Sequence, residues 1–72
     1  MAGAETLVFD ELPGATGRVR VERWGGELWV ADWALAEDCG RRANGSVIDQ
    51  SAEDARDSAN ELIRALVKRW YA

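Results

Sequence analysis

A chain of 72 residues with 13 acidic against 9 basic side chains and 47% hydrophobic content is expected to fold as a single domain over residues 1–72, around one small core. A net charge of −4 argues against a general nucleic-acid binder, which needs a basic surface. The absence of histidine and the presence of one cysteine, Cys39, exclude an internal disulfide and remove the commonest metal ligand and general base.

The chain order begins with a β-type run, Thr6-Leu7-Val8-Phe9, followed by the breaker-rich loop Leu12-Pro13-Gly14-Ala15-Thr16-Gly17. Arg18 to Trp24 alternates, with Val19 and Val21 on one side and Arg18, Arg20 and Glu22 on the other. That is the pattern of a half-buried strand. Gly25-Gly26 then reads as a two-residue hairpin turn, because glycine tolerates the positive φ of the primed turns. Glu27 to Trp33 is the return strand, and Ala34 to Cys39 either continues it or turns into a loop. Asn44-Gly45 is expected at the tip of a second turn region, Gly40 to Gly45, with Ser46-Val47-Ile48-Asp49 a short strand beyond it.

With Gly25-Gly26 as the turn, Trp24 pairs with Glu27, Glu22 with Trp29, Arg20 with Ala31, Val21 with Val30 and Arg23 with Leu28. One face of the hairpin then carries Val19, Val21, Leu28 and Val30, the other Trp24, Trp29 and Trp33 interleaved with Arg18, Arg20 and Glu22. The aliphatic face is assigned to the core. The tryptophan–arginine face has the residue types enriched at protein-binding anchors, Trp29, Trp33 and Arg20 foremost. A register displaced by one residue exchanges the two faces and makes the tryptophans core.

Ser51 to Tyr71 is a single amphipathic helix. Ala52, Ala55, Ala59, Leu62, Ile63, Leu66, Val67 and Trp70 fall within an arc of roughly 140° at 100° per residue. Ser51 is its N-cap, and Asp54 approximates the capping-box position. Acids crowd the start, while Arg64, Lys68 and Arg69 lie near the end, as the helix dipole favours. The fold class is therefore α+β: an antiparallel sheet of three or four strands with one C-terminal helix on one face. Its expected core is Leu62, Ile63, Leu66, Val19, Val21, Leu28 and Val30.

Asp49, Glu53, Asp57 and Glu61 recur every four residues. On a helix they form a ridge of like charges about 6 Å apart. The bland reading is a solvated face. The sharper one is a contact for a basic surface, since the spacing roughly echoes that of phosphates along a nucleic-acid strand. Catalysis finds no support. Adjacent carboxylates such as Glu37-Asp38 point in different directions, Cys39 has no activating base, and no glycine pattern suits a phosphate-cradling loop. The reading is a non-enzyme without metal or cofactor. No long apolar run suggests a membrane span. Met1-Ala2-Gly3-Ala4-Glu5 carries neither a basic nor an apolar leader, so the expected location is the cytoplasm, that of the host cell if the chain is phage-encoded.

In size, acidity and sheet-plus-helix layout the whole chain resembles the small phage-encoded inhibitors called anti-CRISPR proteins, a resemblance of type carried by no motif. It implies a protein that binds a CRISPR effector complex and blocks DNA binding or nuclease recruitment. Independently of it, the acidic charge predicts no direct nucleic-acid binding, and the chain is expected to be a monomer or homodimer. The hairpin Arg18–Trp33 followed by a helix opening Ser51-Ala52-Glu53-Asp54-Ala55 also resembles antitoxins of the HicB type. That group carries its Pro-Gly segment after the hairpin, whereas Leu12-Pro13-Gly14 precedes it here.

Overall fold

The computed structural model describes residues 3–71. Strands β1 (Gly3–Val8), β2 (Ala15–Gly25), β3 (Leu28–Glu37) and β4 (Arg42–Asp49) precede helix α1 (Ala52–Tyr71). The strands pair antiparallel in the order β1-β2-β3-β4, and α1 lies across one face. This is the expected α+β layout with four strands. All four strands are longer than their sequence patterns suggest, and β1 starts earlier, at Gly3, and ends before Phe9. β3 runs on through Ala34–Glu37, and β4 begins at Arg42, so Asn44 and Gly45 lie inside a strand rather than at a turn tip. The turn falls earlier, where the Gly40 N–H donates to the Glu37 carbonyl at 2.9 Å.

The loop between β1 and β2 is closed by the Ala15 N–H donating to the Leu12 carbonyl at 3.2 Å. Gly14 in this turn has φ 92°, the left-handed value that a Pro-Gly type II turn requires at its third position. The loop returns Phe9 to the core, where it is 3% exposed. Gly17 makes room for it: a Cβ there would lie 3.3 Å from Phe9 Cζ and 3.2 Å from Ile63 Cγ2.

The hairpin register corrects the sequence reading. Val21 stands opposite Ala31 and Arg23 opposite Trp29, and then Gly25 stands opposite Leu28. Trp24 is the extra residue of a bulge, and the tight turn is Gly26-Glu27 rather than Gly25-Gly26. One inserted residue moves the return strand by one position and exchanges its faces. Trp29, Ala31, Trp33 and Leu35 therefore look toward α1, together with Val19 and Val21. Leu28 and Val30, assigned to the core by the simpler register, lie on the opposite, outer face with Asp32, and Leu28 is 38% exposed.

Helix α1 begins where the N-cap pattern places it. The Asp54 N–H donates to Ser51 Oγ at 3.0 Å, satisfying a backbone donor that the first turn leaves without a partner. Ala55, Ala59, Ile63 and Val67 are fully buried against Val19, Ala31 and Leu35. Burying each of the larger side chains in this row contributes about 1.5–3 kcal/mol. Leu66 and Trp70 pack partly against the same cluster. Leu62 does not join the core: it is 45% exposed, because it lies about 80° around the helix from the middle of the row Ala55, Ala59, Ile63 and Val67.

Candidate functional site

The chemistry-bearing residues divide between three surfaces. On the outward face of α1, Glu53, Asp57 and Glu61 are all exposed and lie within about 80° of one another around the axis. The same face continues with Arg64 and Lys68, so its charge changes sign along the helix. Asp57 Oδ1 is 4.0 Å from Arg56 Nε, while Glu53 and Glu61 make no ion pair among the described residues. Asp49 is not part of this ridge. It ends β4 opposite Trp29, is half-buried, and accepts the Gln50 N–H at 2.8 Å. Its carboxylate shapes the passage from strand to helix.

The tryptophans are distributed differently from the sequence expectation. Trp33 lies on the helix side of the sheet, with its indole across Gly45. Trp29 is half-buried on the same side, with the Arg23 guanidinium 5.8 Å from its ring centre. Both are thereby engaged by the fold, and Arg20 is parted from them on the outer face. Trp24 at the bulge is 63% exposed.

The outer face of the sheet has no helix over it. Register places Thr6, Arg18, Ala34 and Asn44 in one row across the strands, and Ala4, Arg20, Asp32 and Ser46 in the next. Arg20 pairs with Glu22 at 2.6 Å, and Ser46 Oγ donates to Asp32 Oδ1 at 2.6 Å. A shallow hollow of about 280 Å³ lies beside Ala4, Arg18, Arg20, Asp32 and Ala34. Its floor is made by small side chains and its walls by arginine. Beyond it, Val30 and Ile48 stand opposite one another at the apolar end of the face.

A third cluster sits at the turn between β3 and β4. Arg41 Nε donates to Glu37 Oε1 at 2.6 Å, and Cys39 Sγ donates to the same oxygen at 2.8 Å. The Arg41 bond is the larger cause and the Cys39 bond the second in holding the Glu37 carboxyl below the usual carboxylate range. Arg41 also donates through Nη1 to the Trp70 carbonyl at 3.3 Å and stacks 5.0 Å from the Trp70 ring centre. This ties the turn to the last turn of α1 and supplies a cation where the helix dipole favours one. The cluster braces the fold. The sequence signal for it was the basic pair Arg41-Arg42 after a carboxylate at i−4, but the partner Trp70 is remote in sequence.

Among the described residues, no group of three or more His, Cys, Asp and Glu side chains could hold a metal ion. Among the same residues no helix is long and apolar enough to cross a membrane. No known protein family, curated protein or solved structure matches the chain.

Proposed function

We propose that this chain is a non-catalytic protein-binding inhibitor that docks through Glu53, Asp57 and Glu61 on a basic surface of a nucleic-acid-handling complex. The observation that carries the reading is the outward face of α1, where three carboxylates stand in line and two of them have no ion-pair partner among the described residues. Like charges at this spacing cost helix stability, and a basic partner converts that cost into attraction. By occupying a groove that otherwise receives phosphates, such a ridge blocks nucleic-acid access without chemistry of its own. An effector complex of the CRISPR type, as the anti-CRISPR resemblance implies, is one target of this kind. The correction to the tryptophan register supports the choice of surface, since Trp29 and Trp33 pack against the core and the helix ridge stays exposed.

The experiment is affinity capture from the host with wild type and with a Glu53→Lys/Asp57→Lys double variant, both checked for fold by circular dichroism. Wild type captures a basic protein or ribonucleoprotein, and the capture weakens steeply with added salt. The double variant loses it. Full retention by the double variant at low salt overturns the proposal.

A further inference from the structure

We infer that the chain forms a two-fold symmetric dimer in which β4 pairs antiparallel with β4 of a second copy, joining two four-stranded sheets into one. Among the described residues β4 pairs only with β3, which leaves the backbone groups along its other edge without a strand. Long regular edge strands of this kind are usually blunted by proline, by a bulge or by a charge pointing inward. β1, the opposite edge, carries Glu5 in the row facing α1, opposite Val19. Within β4 no such device interrupts the edge. Its helix-side residues are Ala43, Gly45, Val47 and Asp49, and its charges, Asp49 in that row and Arg42 on the outer face, stand only at the two ends.

The helix offers a second, independent observation on the same side. Arg64 stacks on Phe9 at 5.7 Å, and Ile63 packs by Gly17, which fixes that flank of α1 over the β1–β2 side. Leu62 lies about 200° around the helix from Arg64, on the flank toward β4, and is 45% exposed. A second copy joined at the edge of β4 brings its own Leu62 toward this one. The open edge and the exposed leucine are covered together.

Symmetry and pleat restrict the register. Residues opposite one another in an antiparallel pair must point to the same face, so a two-fold axis passes through a residue position. With the axis at Gly45, Ala43 meets Val47 of the second copy on the helix side. On the outer side Asn44 meets Ser46 of the second copy, and Arg42 meets its Ile48. With the axis at Ser46, Asp49 enters the pairing opposite Ala43 and Asn44 faces Ile48, both poorer matches. Next to the axis the Gly45 register matches polar Asn44 with Ser46 and small Ala43 with Val47, and it sets a charge against an aliphatic side chain only at the ends of the pairing, where Arg42 meets Ile48. Both helices then lie on one side of an eight-stranded sheet.

The test is sedimentation velocity over a concentration series with wild type, Ile48→Glu and Ile48→Arg. Position 48 is 49% exposed on the outer face, and circular dichroism confirms that each variant keeps its fold. In the Gly45 register a glutamate at 48 meets Arg42 of the second copy, twice by symmetry, and an arginine meets it with like charge. The expected result is a wild-type dimer, a dissociation constant lowered about fivefold by Ile48→Glu and one raised about fivefold by Ile48→Arg. Net charge alone predicts the reverse, because the glutamate takes a chain of −4 further from neutrality. A monomeric wild type at about 1 mM, a concentration at which even a weak specific dimer is populated, overturns the inference. So does any outcome other than a constant lowered by Ile48→Glu and raised by Ile48→Arg, the reversed shifts of net charge included.

Discussion

The indole of Trp33 lies across Gly45 on the neighbouring strand, so close that a Cβ on Gly45 would sit 2.9 Å from Trp33 Cζ2. Glycine inside a strand ordinarily weakens it. Here the aromatic ring fills the space above the bare backbone and shields the ladder. Gly45→Ala is therefore expected to destabilise the fold by about 1–3 kcal/mol, as overpacking does, although strand propensity alone predicts a gain. Urea unfolding followed by tryptophan fluorescence measures the sign. A stabilised variant would show that the ring does not occupy this space.

The buried row of α1 predicts a contrast between adjacent residues. Ile63 is 0% exposed and Leu62 is 45% exposed. Ile63→Ala should cost about 2–5 kcal/mol, the range for truncating a buried aliphatic side chain. Leu62→Ala should cost less than about 1 kcal/mol when measured at a concentration where the chain is monomeric. Equal losses would mean that the helix is rotated from the orientation described.

Glu37 gives the fold a pH-dependent brace. Its carboxyl is held below the ordinary range first by the bond from Arg41 and then by that from Cys39. A carboxyl with a depressed folded-state pKa contributes stability that is present above its unfolded pKa and lost as pH falls through the folded one. Stability should therefore decline as pH falls from about 4.5. Glu37→Gln should be less stable than wild type at pH 7 and should show a shallower decline in acid. Thermal melts of both proteins between pH 3 and 7 give the comparison; parallel curves would remove Glu37 from the acid response.

Arg41 joins the β3–β4 turn to the end of α1 through its bond to the Trp70 carbonyl and its stacking on the Trp70 ring. Lysine keeps the charge but not the planar, multi-donor group that makes these contacts simultaneously. Arg41→Lys should lower the melting temperature and raise amide exchange in the last turn of α1, leaving the first turn unchanged. Exchange rates by NMR, residue by residue, distinguish this local fraying from a global loss of stability. Unchanged protection near Trp70 would show that the brace does not hold the helix end.

The helix was determined by the sequence itself. Its cap at Ser51, most of its buried face and the outer ridge Glu53, Asp57 and Glu61 follow from side-chain spacing, because a period of 3.6 residues is a local property, whereas Leu62, at the margin of the stripe, and Asp49, before the helix begins, were misassigned by it. The order of strands and the single covered face followed from length and chain order in the same way. The hairpin register did not. Gly25 and Gly26 serve equally well as the turn or as a bulge followed by a turn, and the choice moves every later side chain of β3 to the other face. One signal was present in the alternation: Trp29, Ala31, Trp33 and Leu35 form an uninterrupted apolar row, whereas Leu28 and Val30 lead on to Asp32. Tertiary structure decided for the apolar row, because only it supplies side chains to cover Val19, Ile63 and Gly45 without burying a carboxylate. The brace from Arg41 to Trp70 and the edge left by β4 also arose only on folding, since each joins groups whose proximity no local pattern encodes.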